Sequence, residues 1–341
     1  MSNSEQFKIV PSIFIGEHVK KLPSLTETIR HILLTENRTA FQIFVKNKLS
    51  SGSISLKNIK GKDIQESSDL LKKYKLKLVI HAAYVYNLCG SSDPLNEEHI
   101  FKNIANAKKG LVSELDLAVS LSSEFYNPKV VVHMGSCKDK KRGIDIAVQT
   151  INDIIVCDSK LTEYLSKLKG IDIKKFKKQR QICLENCAGE GSKIWSTIEE
   201  AKQIYFHPEL NSDVRKNNLS FCIDTAHLYG KGLYDFGKEK DIESFIEEWK
   251  NTGIPLDKIS VIHLNDSKAS YGSFLDRHAL IGLGRTFNIM GLQKAKTSLL
   301  KILKIVSPGG ELEGVPLILE PPEDADPGIE WLWNIITDEL K

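Results

Sequence analysis

Residues 261–284 read VIHLNDSKASYGSFLDRHALIGLG and join a short strand to side chains that can bind metal. The first four residues, Val261 to Leu264, form an apolar β-branched run that predicts a buried strand. His263 lies near the end of that run and Asp266 follows it, and we expect both to be exposed there. The stretch therefore predicts a strand that delivers polar side chains to one edge of a sheet.

Asp276 and His278 are the second feature of this stretch. They are two residues apart, so in an extended segment their side chains point the same way and both could reach one metal ion. Nitrogen beside oxygen is a ligand mixture that suits zinc or manganese. Taken alone, the same residues are explained equally well by a solvated loop with capping acids.

The chain has 341 residues, of which 41% are hydrophobic. This is longer than an average domain, but single β/α barrels often reach this length, and we expect one domain over residues 1–341. The net charge of +3 does not require a nucleic-acid partner, so any basic groove would have to be local. No apolar run approaches the roughly 20 residues of a membrane span, and the first residues, MSNSEQFKIV, lack the pattern of a signal peptide. We therefore expect an intracellular location, in the cytoplasm, the nucleus or a viral particle.

Short apolar runs alternate with longer amphipathic ones along the chain. Strands that are buried on both faces, as in parallel sheets, are almost continuously apolar, and eight runs have this character. The predicted strands are Ser12–Gly16, Ala40–Val45, Leu76–His81, Val130–His133, Gln181–Glu185, Leu219–Asp224, Ser260–Leu264 and Val315–Glu320. Eight strands with helical crossovers predict an α/β fold of the (β/α)8 TIM barrel type, whose active site lies at the carboxyl ends of the strands.

The segments between the strands have helical spacing. Apolar residues recur every three or four positions in Glu97–Ser122, and a shorter helix is predicted over Ile242–Trp249. Ser24 is a predicted helix cap, and Pro327-Gly328 precedes a closing helix. The connection at about 158–180 is longer and ends in the basic run KKFKKQR. We interpret it first as a solvated helix face on an insertion, and second as a DNA contact.

Metal-capable side chains close six consecutive predicted strands. These residues are His81, His133, Glu185, Asp224, His263 and Glu320. A single histidine at a strand end is more often structural. Clustering six such polar groups at one end of a barrel would cost free energy unless their charge is compensated. Divalent cations would supply the compensating charge.

The complete set of candidate ligands adds His227, Asp276 and His278, which gives five histidines and four carboxylates. Open zinc sites use about three protein ligands each, so nine side chains indicate two or three ions. The positive charge of three Zn²⁺ would exceed the negative charge of four carboxylates. The resulting site would attract a phosphate and lower the pKa of a bound water. The indicated chemistry is metal-assisted hydrolysis.

Six segments resemble the successive signatures of the endonuclease IV family, the zinc-dependent apurinic/apyrimidinic (AP) endonucleases of base-excision repair. The segments are HAAYVYNL (81–88), VVHMGS (131–136), LENCAGEGS (184–192), FCIDTAHLYGKGLYD (221–235), IHLNDSK…GSFLDRHALIGLG (262–284) and LILEPP (317–322). Among them, the Asp-Thr-x-His and Asp-Arg-His motifs in series are highly specific. The resemblance runs from about residue 77 to residue 322, and it is thin before residue 76.

The resemblance implies a ligand set for three zinc ions. The implied ligands are His81, His133 and Glu185 for the first ion, Glu185 as a bridge with Asp224, His263 and Glu320 for the second, and His227, Asp276 and His278 for the third. Glu185 and Glu320 would be the catalytic carboxylates, and manganese could occupy one position. In such a family a metal-bound hydroxide attacks the phosphate 5′ to an abasic site in duplex DNA and leaves a 3′-hydroxyl and a 5′-deoxyribose phosphate. A monomer is expected.

Other positions match the parts of the family that contact DNA. The implied DNA-binding residues are Tyr84, Lys46, Asn47, Lys48, Leu49, Ser267, Lys268 and Arg277. Tyr84 matches a tyrosine that enters the DNA near the lesion, although a tyrosine at this place can simply pack. Leu49 stands where the family has an arginine that fills the gap left by DNA bending, and an apolar wedge could also separate a base step. Asn265 and Ser273 could contact phosphates, whereas His18 is expected to be structural or exposed.

Two other functions compete with this one. A sugar isomerase or epimerase on a xylose-isomerase-like barrel would use fewer metal positions, rich in carboxylates and loaded with Mg²⁺ or Mn²⁺. The third group, His227 with Asp276 and His278, discriminates against it. A lesion-binding protein without activity would not need a complete ligand set.

Overall fold

Eight parallel strands close into a barrel in the computed structural model of the chain, which describes residues 13–35, 37–91, 93, 95–287, 292–322 and 325–340. The barrel strands are β1 (Ile15–Val19), β2 (Ala40–Ile43), β3 (Lys77–His81), β4 (Lys129–His133), β5 (Ile182–Glu185), β6 (Leu219–Asp224), β7 (Ile259–His263) and β10 (Leu317–Leu319). Two short strands, β8 (Asp266–Ser267) and β9 (His278–Ala279), form a separate antiparallel ribbon. Around the barrel the order is β1-β10-β7-β6-β5-β4-β3-β2. The predicted (β/α)8 TIM barrel is confirmed.

Helices occupy most of the connections between the strands. They are α1 (Leu25–Leu34), α2 (Gly61–Lys73), α3 (Glu97–Ser120), α4 (Lys140–Val156), α5 (Lys160–Lys169), α6 (Ile173–Lys177), α7 (Ile198–Tyr205), α8 (Ser212–Asn217), α9 (Thr225–Lys231), α10 (Glu239–Asn251), α11 (Leu292–Val306) and α12 (Asp326–Glu339). Within the described residues, none of them is both long and apolar enough to cross a membrane.

The first strand lies later in the chain than predicted. The prediction was Ser12–Gly16, of which Ser12 lies outside the described residues, whereas β1 runs from Ile15 to Val19. Its pairing with β2 continues as far as Val19 opposite Ile43, although the sequence turns polar after Gly16. A Cβ at Gly16 would lie 1.7 Å from the carbonyl oxygen of Ala40, so the close approach of these two strands requires glycine.

The predicted helix signals hold in the structure. Ser24 caps α1, and its side chain forms a capping box with Glu27. Helix α3 begins at Glu97 as predicted and ends two residues before Ser122. Helix α10 contains the predicted segment, with Ile242, Phe245 and Trp249 buried. Pro327 lies in the first turn of α12, where its missing N–H costs no helical hydrogen bond.

The long connection at 158–180 folds into α5 and α6 and packs on the outside of the barrel. Phe176 joins a buried cluster with residues of α3 and α5, while Lys174, Lys175 and Lys178 are exposed. The connection leads into the amino end of β5, which is the end of the barrel opposite to Glu185. The structure therefore agrees with a solvated helix face, and the basic run is remote from the predicted active-site edge.

One buried ion pair holds this connection in place. Arg180 donates from Nε and from one terminal nitrogen to Asp116 Oδ1, at 2.9 and 2.7 Å, and both side chains are fully buried. Its other terminal nitrogen donates to the carbonyl oxygens of Ile154, Ile155 and Cys157 at 2.8 to 2.9 Å. One guanidinium thus joins α3, the end of α4 and the start of β5.

We expect Arg180→Met to lower the free energy of unfolding by about 3–5 kcal/mol, because it leaves the Asp116 carboxylate buried without a counter-charge. Urea denaturation measures this change. The matched control is Lys175→Met at an exposed position of the same connection, for which a change below about 0.5 kcal/mol is expected. Equal effects of the two substitutions would contradict the role of the ion pair.

Candidate metal centre

The six metal-capable residues that close the predicted strands all lie at one end of the barrel. Five are the last residues of β3 to β7, and Glu320 follows β10 directly. Parallel strands place their carboxyl ends together, so the barrel itself assembles the cluster. The residues concerned are His81, His133, Glu185, Asp224, His263 and Glu320.

Glu185 is the centre of the cluster. Its Oε2 lies 3.2 Å from His81 Nε2 and 3.3 Å from His133 Nε2. Its Oε1 lies 2.9 Å from His263 Nδ1, which in turn lies 3.1 Å from Glu320 Oε2. One carboxylate therefore faces two groups of potential ligands, one through each oxygen.

Three adjoining groups could each hold a metal ion, with ligand atoms within 4.8 Å of one another in every group. The groups are His81, His133 and Glu185; Glu185, Asp224, His263 and Glu320; and Asp224, His227 and His278. Glu185 belongs to the first two groups, and Asp224 belongs to the last two. This arrangement suits a polynuclear site, because shared carboxylates can bridge neighbouring ions.

Asp276 completes the third group. Its Oδ2 lies 3.3 Å from His227 Nε2, and its Oδ1 lies 3.2 Å from His278 Nε2. The structure thus brings together the three residues that the resemblance implied for a third ion. It adds Asp224, whose Oδ2 lies 3.6 Å from His278 Nε2 and which the resemblance had placed only in the second group.

Backbone carbonyl groups orient three of the histidines. The Nδ1 atoms of His81, His227 and His278 lie 2.8 to 3.0 Å from the carbonyl oxygens of Ala82, Asn186 and Glu320. An N–H donated there leaves Nε2 free for a metal, as is usual for metal-binding imidazoles. His278 Nε2 is buried and makes no hydrogen bond. The donor set therefore fits divalent cations.

Neighbouring charges shift the pKa values of the carboxyl groups and histidines in the cluster. Burial raises the pKa of Glu185 and of Glu320, but neighbouring histidines hold both well below their usual range. Burial lowers the pKa of His227 and His278, yet adjacent carboxylates, Asp224 foremost, raise these values to about 10 and about 9. Protons on the histidines thus compensate the carboxylates when no metal does.

Four polar residues support the cluster in ways that the sequence did not indicate: Gln42, Asn186, His18 and Asn265. Gln42 on β2 donates to Glu320 Oε1 at 2.6 Å and contacts His263 Nε2 at 2.9 Å. Asn186 accepts from the backbone N–H of Asp224 at 2.7 Å. A polar residue inside an otherwise apolar strand, as in the FQIF segment (41–44), was the signal for Gln42.

His18 and Asn265 both contact candidate ligands. His18 was expected to be structural or exposed, and its Nδ1 lies 3.4 Å from Glu320 Oε1, beside the cluster. Asn265 was a possible phosphate contact or part of a solvated loop, but it is buried and donates to Asp224 Oδ2 at 2.6 Å and to Glu320 Oε2 at 3.2 Å. Both residues therefore orient potential ligands.

Asp266 anchors the ribbon that carries His278. It was expected to be exposed, but it is buried. Its carboxylate accepts five backbone N–H groups at 2.8 to 3.3 Å, from Ser267, Gly282, Gly284, Thr286 and Phe287. A Cβ at Gly284 would lie 2.3 Å from Asp266 Oδ1, so this wrapping needs glycine. Since His278 pairs with Ser267 in the ribbon, Asp266 sets the position of a candidate ligand.

An open cavity of about 710 Å³ lies over the three groups. Tyr84, Lys268 and Arg277 line it. The predicted DNA-binding residues Asn47, Lys48 and Leu49 are exposed on the loop after β2, and Leu49 keeps 69% of its surface accessible. Six of the eight predicted DNA-binding residues are thus free to meet a large substrate.

The other two predicted DNA-binding residues need correction. Ser267 is fully buried, and its hydroxyl donates to the carbonyl oxygen of Ala269 at 3.2 Å. Lys46 keeps only 12% of its side chain exposed, because its ammonium turns inward to Glu114. Ser273, a possible phosphate contact, also has a buried hydroxyl. Sequence position on a loop did not reveal that these side chains point into the protein.

Comparisons with known proteins agree with this geometry. The family model described as a xylose isomerase-like TIM barrel matches residues 38–333, which is most of the chain. The protein therefore belongs to the class of xylose isomerase-like TIM barrels.

Within that class the relatives are more specific. A protein from Clostridium botulinum named probable endonuclease 4 is 31% identical over 245 residues, which cover 72% of this chain and 74% of that protein. The chain is a member of the endonuclease IV family, and it is accordingly a hydrolase.

Solved structures share the fold. Endonuclease IV from Thermus thermophilus superposes with a TM-score of 0.65 at 24% identity, covering 96% of this chain and 98% of that one. A D-tagatose 3-epimerase-like protein superposes with a lower TM-score of 0.56 at 19% identity, covering 96% and 100%. At these identities both likenesses concern the barrel.

We expect Asp266→Asn to loosen the ribbon, because an amide nitrogen would replace one of the two oxygens that accept backbone N–H groups. The local free energy of opening should fall by about 2 kcal/mol, and mass spectrometry should show faster amide hydrogen exchange over residues 278–287. Asp257→Asn, at an exposed position, is the control. Unchanged exchange in Asp266→Asn would contradict the anchoring role.

We expect zinc binding to the metal-free protein at pH 7 to release at least two protons, because His227 and His278 must lose theirs to coordinate a metal. Their pKa values of about 10 and about 9 mean that both are protonated at pH 7. The pKa of His263 is also raised, because burial lowers it but neighbouring carboxylates, Glu320 foremost, outweigh burial. Zinc affinity should therefore rise as the pH increases from 7 to 9. Calorimetry in buffers of different ionisation enthalpy counts the protons, and binding without proton release would refute this account.

Proposed function

We propose that the chain hydrolyses the phosphodiester 5′ to an abasic site in duplex DNA, with three zinc ions held by the three groups. The products would be a 3′-hydroxyl and a 5′-deoxyribose phosphate. Membership of the endonuclease IV family supports the reaction class. We infer that the chain acts as a monomer and as a single domain, and that manganese could replace zinc at one position.

The observation that carries this proposal is the sharing of Glu185 and Asp224 between adjacent groups. Two shared carboxylates link three groups into a continuous row at the floor of an open cavity. Ions held by these groups would supply the positive charge that attracts and stabilises a phosphate, which is what a phosphodiesterase requires.

Zinc bound there would neutralise phosphate charge and activate a water for attack on phosphorus. The protein's own residues prepare that chemistry. Glu185 would direct both carboxylate oxygens toward the row, and Gln42 and Asn265 hold Glu320 through the hydrogen bonds described above. His227 and His278 present Nε2 to the third group because backbone carbonyl oxygens occupy their Nδ1 atoms.

Exposed side chains at and near the cavity support a duplex substrate. Tyr84, with 47% of its surface exposed, and Leu49 offer two side chains that can enter a base stack. Lys268 and Arg277 offer cationic groups for backbone phosphates. An abasic site lacks a base and is the easiest place in a duplex for such side chains to enter.

A sugar epimerase remains the second candidate because a solved epimerase-like protein shares the barrel. Epimerases of this type act on small sugars and need no third metal position. The group formed by His227, Asp276 and His278 has no use in that chemistry. This group favours the endonuclease.

The test is incision of a duplex with one abasic site by zinc-loaded protein, with metal content measured on the same sample. We expect about three zinc ions per chain and cutting 5′ to the lesion. Glu320→Gln should fold normally and lose activity by roughly 10³-fold or more, because the group of Glu185, Asp224, His263 and Glu320 loses a charged metal ligand. Glu330→Gln, at an exposed position, is the control.

Two outcomes would contradict the proposal. Zinc-loaded protein that turns over a small sugar and leaves the duplex intact would favour the epimerase. Near-normal incision by Glu320→Gln with full zinc content would show that the ligand assignment is wrong.

A further inference from the structure

Helix α3 carries a buried carboxyl group that the metal centre does not use. Glu114 is 1% exposed, and neither of its carboxylate oxygens makes a hydrogen bond. Burial raises its pKa to about 7, although the charge of Lys46 lowers it. A buried carboxyl group with a single charged partner is costly, so its presence calls for a role.

Lys46 is that partner, and it joins two loops. Its Nζ lies 3.5 Å from Glu114 Oε1. The same ammonium donates to the carbonyl oxygen of Gly52, in the loop after β2, and to the hydroxyl of Tyr86, in the loop after β3. One side chain thus ties both loops to α3.

The neighbouring positions on α3 receive the same two loops. Gly110, Ser113 and Glu114 lie three and four residues apart and share one face of the helix. Ser113 Oγ accepts from the backbone N–H of Ile54 at 2.9 Å. A Cβ at Gly110 would lie 2.1 Å from the Tyr86 hydroxyl oxygen and 2.7 Å from the carbonyl oxygen of Ser51. This face of the helix is therefore a docking face for both loops.

These loops present the side chains that would enter DNA. Residues 44–55 carry Lys48 and Leu49, and residues 82–91 carry Tyr84. The backbone N–H of Tyr84 donates to the carbonyl oxygen of Lys48 at 2.9 Å, which joins the two tips directly. The two loops are thus linked to each other at their tips and to α3 at their bases.

We propose that Lys46, Glu114 and Tyr86 are positioning residues that fix the two loops in the form that binds the damaged duplex, and that Lys46 makes no DNA contact of its own. This inference rests on the proposed function. Lys46 is accordingly a part of the scaffold, although it lies in the loop that the sequence associates with DNA.

The first experiment measures kcat and KM on the abasic duplex for zinc-loaded wild type, Lys46→Met and Glu114→Gln. Each variant should raise KM about tenfold, because displaced binding groups lose affinity. Its kcat should stay within about twofold of wild type, since none of the nine candidate ligands lies on either loop. Tyr86→Phe removes one hydroxyl and spares the ion pair, so it should raise KM by a smaller factor. It tests the same contact without leaving a buried charge unpaired, which keeps the test valid if the charge variants misfold.

A double substitution separates positioning from direct contact. Lys46→Met combined with Glu114→Leu replaces the buried ion pair by an apolar pair of similar volume, which proteins tolerate. We expect KM to recover in part, because the buried carboxylate is no longer unpaired although the hydrogen bonds to Gly52 and Tyr86 stay lost. Lys48→Met is the matched comparison, because it removes a lysine from an exposed position of the same loop. Adding Glu114→Leu to Lys48→Met should worsen binding.

The salt dependence of duplex binding gives an independent readout. Each lysine–phosphate contact contributes about 0.9 to the slope of log Kd against log salt concentration. Lys46→Met should leave this slope unchanged. A slope lowered by about 0.9 without rescue in the double variant would overturn the inference, and so would an unchanged KM or a loss confined to kcat. Wild type that fails to incise would instead refute the proposed function, and this inference would fall with it.

Discussion

Clustering carboxylates in a poorly solvated place costs free energy unless positive charge compensates them, and the rest of this structure follows from how the barrel meets that cost. Four carboxylates and five histidines meet where the strands end, and five of the nine side chains are buried. In the metal-free protein, protonated imidazoles compensate the carboxylate charge. Divalent ions would compensate it more strongly, since each brings two charges and a defined geometry. The same cost explains why Gln42 donates a hydrogen bond to the Glu320 carboxylate and Asn265 donates one to the Asp224 carboxylate.

The barrel and the six candidate ligands at the strand ends could be predicted from the sequence because both obey a short-range rule. A buried parallel strand is apolar throughout, so a polar residue at its end stands out, and parallel strands place those ends together. Prediction failed where the determining contacts are distant in sequence. His18 and Gln42 meet Glu320 only when β1 and β2 close the barrel against β10. The FQIF segment marks Gln42 as unusual, but no local pattern indicates that Glu320 is its partner.

The loops were less predictable than the strands for a related reason. Position on a functional loop suggests exposure, yet Ser267 and Asp266 turn inward to build the ribbon, and Lys46 turns inward to Glu114. An inward polar side chain reflects which partner the fold supplies, and the partner of Lys46 lies 68 positions away on α3. The family resemblance pointed to these loops. The structure distinguishes the side chains that support each loop from the side chains that are exposed on it.

The most direct test of the account is anomalous diffraction at the zinc absorption edge from crystals of the zinc-loaded protein. The account predicts three peaks, one within contact distance of His81 and His133, one of His263 and Glu320, and one of His227 and His278, with Glu185 and Asp224 between neighbouring peaks. A single peak, or peaks away from these side chains, would contradict the claim that the three groups form one polynuclear centre.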